Sequence, residues 1–443
     1  MKKSLMPYVA KCVSSDQLLS AKRKAFALKR VLFRQTPTLD IFLKPDDPYS
    51  YLLVQALKQF IPRFSINVRY HVFQNVNPEM FPKMEMWRQY SRYDAAQLAT
   101  LYGFHFPKNS QQPNKGEHVV KQLACELVNI ETDADFLTKA DHLMHTFWFQ
   151  SQPPTPNMAA SQKATLHLTQ NETLLAKKGH YLGAMINFEG EWYWGVDRLD
   201  HLENRLIDTG LARQPREQIH FNKTYAQFCQ RPPNQTPAKQ GISQQPLVLY
   251  WSARSPYSYI GLEQATKLAK YYHIPLVIKP VLPMMMRGMH VPETKKMYIF
   301  LDTKREARKL GIPYGFVADP LGAAVERCYA LVEYAQSENK LHQFLLSFAR
   351  GVNAEGIRAE TDSGLKKIVT RCGLDWSVAK SKLSDRHWQN WAQDNLDEML
   401  LMGCWGVPSI RYGNTHFWGQ DRFGMIENAI RKELETKCIL RTG

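Results

Sequence analysis

The stretch Leu247-Val-Leu-Tyr-Trp-Ser-Ala-Arg-Ser-Pro-Tyr-Ser-Tyr259 carries the strongest fold signal in the chain. Its first five residues are an apolar run typical of a buried strand. Ser255 and Pro256 then indicate a helix start, because serine caps a first turn well and proline suits the first helical position. Apolar residues recur at helical spacing over 260–272, and 276–282 is a second apolar run. The stretch therefore predicts a strand–helix–strand unit with a right-handed crossover.

A weaker copy of this pattern lies nearer the N-terminus. The matching segments are 39–51 with 247–259, then Tyr90, Asp94 and Gly103 with Tyr298, Asp302 and Gly311, and finally 194–198 with 418–422. Three blocks in one order, at an offset of 208 and then 224, indicate a tandem duplication with an insertion of 16 residues in the second copy.

The repeat divides the chain into four predicted segments. They are a basic arm at 1–38, a first copy at 39–215, a linker at 216–246 and a second copy at 247–443. The linker is assigned from its proline, glutamine and glycine content and its lack of apolar periodicity. The arm contains Lys22-Arg-Lys24 and Lys29-Arg30, which suit either an anion-binding amphipathic helix or a helix whose apolar side packs on the neighbouring domain. We expect the packed arrangement.

Each copy continues on the same coarse plan. A long, mostly helical region leads to two short strands, 409–412 and 415–418 in the second copy, which Gly413-Asn414 joins as a hairpin. A last helix begins near Gln420. A βαβ half and a ββα half with helices inserted between them is the thioredoxin plan. We therefore predict the α/β fold class, with two thioredoxin-like domains that each carry an inserted α-helical subdomain.

Composition excludes several classes of protein. The chain has 443 residues, of which 44% are hydrophobic and 22% charged, as is ordinary for a globular protein. Its seven cysteines are widely spread and include no C-x-x-C pair, which argues against a disulfide scaffold, a zinc ribbon and a dithiol redox centre. No apolar run is long enough to span a bilayer, and the first residues do not form a complete signal peptide. We expect a cytoplasmic protein without a bound metal.

The net charge of +16 favours anionic partners. Nucleic acid, anionic lipid and acidic small molecules all fit this charge, and a basic surface is also common on enzymes that bind none of these. No motif that reads RNA or DNA is visible. We therefore expect a small-molecule ligand rather than a nucleic acid or a membrane.

Two motifs in the second copy are the first candidates for chemistry. Ser255 and Ser258 stand at the two positions that cysteines occupy in C-x-x-C, at a helix start where N–H groups and the dipole favour an anion. A hydroxyl there can donate to a thiolate brought in by a ligand, although helix capping alone also explains it. Gly406-Val-Pro408 precedes the hairpin. In a thioredoxin-like plan the bond before Pro408 is cis, which leaves the Val407 backbone free to pair with an extended peptide ligand, whereas most loop prolines are trans.

Further candidates surround these motifs. The amides near Gln420 suit a carboxylate and Asp421 suits an ammonium group, unless Asp421 only caps the last helix. Lys295 and Tyr298 share a predicted helix that can approach the same cleft, although helical lysines are usually solvated. The run 284–286 consists of methionines that either line an adaptable pocket or belong to the core.

Together these motifs resemble the kappa-class glutathione transferases and the 2-hydroxychromene-2-carboxylate isomerases, in the DsbA-like branch of the thioredoxin superfamily. The resemblance covers about residues 247–430. It implies glutathione as the cofactor, a small aromatic or hydrophobic substrate, and Ser255 as the catalytic residue in contact with the glutathione sulfur. The binding residues that it implies are Ser255, Tyr257, Lys295, Val407, Pro408, Gln420 and Asp421.

The resemblance also implies individual roles. Val407 would pair with the cysteinyl backbone, Gln420 and Asp421 would hold the γ-glutamyl end, and Lys295 would approach a glutathione carboxylate. In the isomerase, the thiolate is understood to add to a conjugated double bond, so that rotation and elimination return free glutathione and the isomerised product. The resemblance therefore predicts a glutathione-dependent isomerase or transferase.

The first copy departs from the motifs at the positions that matter. Asp47 stands in place of Ser255, Ala184 in place of Pro408, Trp87 in place of Lys295, and Val196 in place of Gln420. A carboxylate caps a helix but repels a thiolate, and a cis bond before a non-proline residue costs about 2.5–4 kcal/mol. We predict that this copy has lost the thiol site and serves in an intramolecular pseudo-dimer, or that the whole chain forms a homodimer.

Two other functions stay open from the sequence. One is a relative of the DsbA thiol–disulfide oxidoreductases that lacks their redox pair, for which Cys404 is the one thiol close to Val407 in sequence. The other is a non-catalytic binding protein, for which the positive charge is the main argument.

Overall fold

The chain forms two units. In this computed structural model, which describes residues 2–108, 115–150, 162–226 and 245–442, one unit contains Met1–Ala21 with Phe228–Gly443 and the other contains Lys22–Gln227. Most of the predicted linker, 227–244, lies outside the described residues. The unit boundary differs from the predicted arm boundary, because the first residues of the arm cluster with the C-terminal half.

The N-terminal unit is built on a four-stranded sheet. Its strands are β1 (Thr38–Leu43), β2 (Asn67–Val72), β3 (Met185–Phe188) and β4 (Glu191–Trp194), in the order β2-β1-β3-β4. β1 pairs in parallel with β2, and the other two pairings are antiparallel. The helices of this unit and of the arm are α1 (Lys2–Val13), α2 (Asp16–Leu32), α3 (Pro48–Phe60), α4 (Met84–Tyr102), α5 (Glu117–Asn129), α6 (Phe136–Phe149), α7 (Gln162–Lys177), α8 (Leu199–Asp208) and α9 (Lys223–Ala226).

The C-terminal unit has a sheet of the same order. Its strands are β5 (Leu247–Trp251), β6 (Leu276–Pro280), β7 (Ser409–Tyr412) and β8 (Thr415–Trp418), in the order β6-β5-β7-β8. β5 is parallel to β6 and antiparallel to β7, and all five of its residues are buried. The helices are α10 (Pro256–Tyr272), α11 (Glu293–Lys309), α12 (Ala323–Ala330), α13 (Val332–Ser337), α14 (Leu341–Ala354), α15 (Asp362–Arg371), α16 (Trp376–Lys382), α17 (Trp388–Leu401) and α18 (Phe423–Thr442).

These two units confirm the predicted fold class. Each has a βαβ half and a ββα half, with a helical region inserted between them. β1 and β5 occupy the same central place in sheets of the same strand order, and both are buried. The helices that follow them, α3 and α10, therefore start at the same edge of each sheet. That the two units arose by duplication stays a prediction.

Local sequence signals explain where the elements of the C-terminal unit begin and end. The hairpin between β7 and β8 turns at Gly413, whose φ of 58° lies in the region that glycine adopts without strain. The last helix is preceded by a short 3-10 turn, Gln420–Arg422, and starts properly at Phe423. The predicted strand at 276–282 ends earlier, at Pro280.

The two helices of the arm, α1 and α2, differ in how far they are buried. Pro7 of α1 and Ser14, which directly follows this helix, are buried, and Ser14 Oγ donates to the Gly315 carbonyl at 3.3 Å. No residue of α2 is buried. Phe26 contacts the turn between β3 and β4, whereas Leu28, Val31 and Leu32 are exposed, so the expectation that the apolar side of this helix packs on a domain is wrong for most of that side. Among the described residues, no helix is long and apolar enough to cross a membrane.

Candidate active site at the start of α10

Ser255 lies where the central strand of the C-terminal unit meets α10. Its backbone is extended, with φ −76° and ψ 119°, and its side chain accepts a hydrogen bond from the Ser258 amide at 3.2 Å, so it caps the helix. The same Oγ lies 3.4 Å from the carbonyl oxygen of Val407, and the Val407–Pro408 bond is cis. The structure thus brings together Ser255, Val407 and Pro408.

Two glycines allow the loop before β7 to approach this helix. A Cβ atom at Gly261 of α10 would lie 3.0 Å from the Pro408 ring, and a Cβ atom at Gly406 would lie 2.5 Å from Nε1 of Trp418. Real Cβ atoms essentially never come as close as the second distance. Gly406 is therefore required for the loop to lie against the β8 end, and this contact positions Val407 beside Ser255.

The second serine of the motif has a different environment. Ser258 is fully buried, and its Oγ accepts from the Ser252 amide at 3.3 Å, so it supports the turn before α10. Cys404 is also fully buried. Of the two serines, Ser255, which is only half-buried, is the one whose hydroxyl a ligand can reach.

Tyr257 is held by a buried carboxylate. Its hydroxyl donates to Asp302 of α11 at 2.6 Å, and Arg305 is 3.5 Å from the other oxygen of that carboxylate. The N-terminal unit has the equivalent bond, in which the Tyr49 hydroxyl donates to Asp94 at 2.9 Å. The hydroxyl of Tyr257 therefore fixes the first turn of α10 against α11.

Lys295 of α11 is not an ordinary solvated lysine. Its Nζ lies 5.7 Å from the centre of the Trp405 ring, a cation–π contact, and Trp405 packs on Trp418 at 5.0 Å between ring centres. Burial lowers the pKa of Lys295 to about 8, because the charged form loses hydration. Sequence reasoning missed Trp405, although its position directly before Gly406 was a usable signal.

Gln420 and Asp421 differ in how far a ligand can reach them. The Gln420 side chain is buried and donates to Glu306 at 3.1 Å and to Asp421 at 2.5 Å. Gln264 of α10 in turn donates to the Gln420 side-chain oxygen at 3.2 Å. Asp421 is half-buried. Gln420 is therefore a buried link between Glu306 and Asp421, whereas Asp421 itself is partly exposed.

A short 3-10 turn, Met284–Arg287, follows β6, and none of its residues is buried in the core. Met285 contacts the loop before Ser255, because its sulfur accepts from Arg254 at 3.0 Å. Arg287 Nε is shielded from solvent and has no hydrogen-bond acceptor, and no described carboxylate lies within ion-pair distance of this guanidinium. Burial lowers the pKa of Arg287. Sequence reasoning missed this residue, which only its place after three methionines could have suggested.

In the N-terminal unit, the start of α3 corresponds to the start of α10, and its surroundings consist of protein side chains. Asp47 caps α3 by accepting from the Ser50 amide at 3.0 Å and the Ser50 hydroxyl at 2.8 Å. Burial raises the pKa of Asp47 to about 6. Ala184, in place of proline, adopts a φ of 53°, and Val407–Pro408 is the one cis bond among the described residues.

Aromatic side chains complete this closure. Trp87, which replaces the lysine of α11, packs 5.9 Å from Tyr49 and 5.7 Å from Phe81 between ring centres. Trp194 and Tyr49 pack edge to face, with 4.8 Å between ring centres. The N-terminal unit therefore has an apolar cluster where the C-terminal unit has Lys295, and a carboxylate cap where the C-terminal unit has the Ser255 hydroxyl.

Comparison with known proteins identifies the family of the C-terminal unit. Residues 247–431 match the family described as DSBA-like thioredoxin domain. The C-terminal half of the chain is a DSBA-like thioredoxin domain. The matched range contains all of the candidate site residues described above, from Ser255 to Asp421.

This DSBA-like domain is homologous to known isomerases. A 2-hydroxychromene-2-carboxylate isomerase from Pseudomonas putida is 25% identical over 193 residues, covering 41% of this chain and 92% of the relative. An enzyme of the same name from Pseudomonas sp. (strain C18) is 23% identical over 189 residues, covering 41% and 88%. A solved 2-hydroxychromene-2-carboxylate isomerase covers 44% of this chain and 98% of its own, with 22% identity and a TM-score of 0.39. The sequence homology supports an enzyme of the isomerase or thiol-oxidoreductase type.

Proposed function

We propose that the C-terminal unit binds glutathione with its sulfur at Ser255 and acts as an isomerase or transferase on a small aromatic or hydrophobic acid. One observation carries this proposal: the Ser255 hydroxyl caps α10 and lies 3.4 Å from the Val407 carbonyl. This places a hydrogen-bond donor and the positive end of a helix dipole beside a backbone carbonyl suited to an extended peptide. Bound glutathione supplies a thiolate nucleophile for reversible addition to a conjugated double bond.

Ser255 has the hydrogen-bonding capacity that this role requires. A serine hydroxyl offers one donor and two acceptor sites. Its oxygen already accepts from Ser258 N, and its proton is free to turn from the Val407 carbonyl to a sulfur anion. A hydrogen bond to a charged partner contributes about 1.5–3 kcal/mol. That would lower the pKa of a bound thiol by roughly one to two units.

The charged side chains of Lys295 and Asp421 fit the remaining parts of glutathione. Lys295, held over Trp405, would face a carboxylate of the tripeptide. Asp421, oriented by the buried Gln420 amide, would pair with the α-ammonium group. In this proposal three groups bind and orient the tripeptide, and the hydroxyl of Ser255 holds the sulfur anion.

The second substrate is assigned from Arg287 and its neighbours. A guanidinium without a carboxylate partner, next to half-buried methionines, suits a flat apolar molecule that bears a negative charge. The homologous enzymes are named for a substrate of this kind, a chromene carboxylate. We propose that Arg287 orients the acid group while Met284–Met286 contact the apolar part.

Isothermal titration calorimetry with glutathione tests the proposal. We expect saturable binding by the full chain, and its loss at the same concentrations in Ser255→Ala. Asp47→Asn is the matched control, since it changes the equivalent helix start of the other unit and should leave binding unchanged. Failure to bind glutathione at millimolar concentration refutes the proposal. Reduction of insulin disulfides by the protein would instead favour the thiol-oxidoreductase alternative, which the complete burial of Cys404 disfavours.

A further inference from the structure

The helix α2 has one face attached to the N-terminal unit and one face in solvent. Arg23 forms a bidentate ion pair with Glu191, at 2.7 and 2.8 Å, and Arg30 pairs with Glu189. Phe26, between them, rests on the turn that joins β3 and β4, with its ring 3.7 Å from where a Cβ atom of Gly190 would lie. Residues spaced three and four apart thus define the attached side of the helix.

The opposite face is apolar and uncovered. Leu28, Val31 and Leu32 are 59%, 75% and 68% exposed, and Phe33, just past the helix end, is 66% exposed. Their spacing places them on one stripe of the helix. Large apolar side chains scattered singly on a surface are ordinary, but a contiguous stripe usually marks an interaction site.

Positive side chains surround this stripe. Lys22, Lys24, Lys29 and Arg34 are exposed, and none forms an ion pair with a described residue. The helix therefore divides its cations into two groups. Two arginines bind it to the unit through Glu189 and Glu191, and the others project into solvent beside the apolar stripe.

We propose that the outer face of α2 binds the surface of a membrane that contains anionic lipid, with the apolar stripe inserted among the head groups. Such a helix combines apolar side chains that enter the interface with cations that attract anionic lipid. The overall charge of +16 adds to this attraction. The expectation of no membrane partner, which rested on the lack of a spanning segment, is replaced by peripheral binding.

The charged and apolar side chains of this face favour lipid over a second copy of the chain or a nucleic acid. A second copy of the chain would bring two α2 helices face to face, and each carries Lys22, Lys24 and Lys29 without compensating acids. Nucleic acid would use the cations but would leave Leu28 and Val31 in water. An anionic bilayer satisfies both kinds of side chain at once.

Vesicle co-sedimentation of the full chain tests the proposal, with phosphatidylcholine alone or mixed with phosphatidylglycerol. The arm variant carries Lys22→Gln, Lys24→Gln and Lys29→Gln. The charge-matched control carries Lys270→Gln, Lys366→Gln and Lys367→Gln, on exposed positions of α10 and α15. We expect binding to the anionic vesicles, a decrease of about tenfold or more in the arm variant, and less than about a twofold decrease in the control.

A second variant, Val31→Gln with Leu32→Gln, tests the apolar stripe without a change in charge. We expect it to weaken binding to anionic vesicles as well. Equal losses in the arm variant and the control would overturn the proposal. So would a lipid-free dimer that this second variant dissociates, because the stripe would then serve self-association.

Discussion

Replacing Ser255 by aspartate separates the two roles of this residue. Aspartate caps helices as well as serine does, and Asp47 already caps α3 in the N-terminal unit by accepting from the Ser50 amide at 3.0 Å. Ser255→Asp therefore keeps the capping hydrogen bond that Ser258 N now gives to Ser255. It replaces a hydroxyl donor by a negative charge at the place proposed for the glutathione sulfur.

The expected loss follows from Coulomb's law. Two like charges about 4 Å apart repel by on the order of 4 kcal/mol at a dielectric constant of about 20. Each 1.4 kcal/mol corresponds to about a tenfold change in affinity, so glutathione binding should weaken by a hundredfold to a thousandfold. Stability should change little, since a lost cap would cost only about 1 kcal/mol and this cap is retained.

Calorimetry at neutral pH measures the affinity, and chemical denaturation measures the stability. Ser255→Asn is the matched control, because asparagine has the shape of aspartate, caps equally well and stays neutral. The control should lose far less affinity than Ser255→Asp. The reasoning is refuted if both variants bind glutathione equally, because charge at this position would then be irrelevant to the ligand.

Three further predictions concern titration and stability. Burial lowers the pKa of Lys295 to about 8, so its amine is mostly neutral about one pH unit higher. At that pH a glutathione carboxylate bound beside Lys295 should restore the charged form, so binding should take up a proton. Calorimetry in two buffers measures this uptake, and Lys295→Arg should abolish it. The pKa of Asp47 is raised to about 6, so the stability due to its protonated form is lost as the pH rises from about 4 to 6. Chemical denaturation at pH 7 should therefore find Asp47→Asn more stable than the unchanged protein by about 1–3 kcal/mol. Tyr257→Phe should cost about 1.5–3 kcal/mol of stability while the pKa of the bound thiol, followed by ultraviolet absorbance, stays unchanged.

Signals within a few residues were sufficient for much of the fold. The strands 247–251, 409–412 and 415–418 lie where the apolar runs and the Gly413-Asn414 turn placed them. The cap at Ser255 and the cis bond before Pro408 also agree with the sequence. The strands, the turn and the cap depend on neighbouring residues, so one segment of chain contains the information, whereas the cis bond was expected from the overall thioredoxin plan.

Features that depend on contacts between distant segments could not be predicted in the same way. Gln420 was expected to face the ligand, but its amide is buried against Glu306, far away in sequence. The contact between Lys295 and the ring of Trp405 likewise joins residues that are far apart in sequence, so it could not be read from either segment alone. The outer face of α2 has the apolar periodicity of a packed helix, and periodicity alone does not reveal whether another element covers it.

A comparison of the two units shows that the fold and the thiol site are separable. Both keep the hydrogen bond from a tyrosine in the first turn to a buried aspartate, Tyr49 with Asp94 and Tyr257 with Asp302. Only the C-terminal unit has a neutral hydroxyl at the cap and a lysine at the position of Lys295, which Trp87 occupies in the other unit. A contact present in both units serves what both share, the attachment of the first helix to its neighbour, so it does not serve the sulfur. Ser255, whose place in the other unit is taken by Asp47, is where the difference in chemistry must arise.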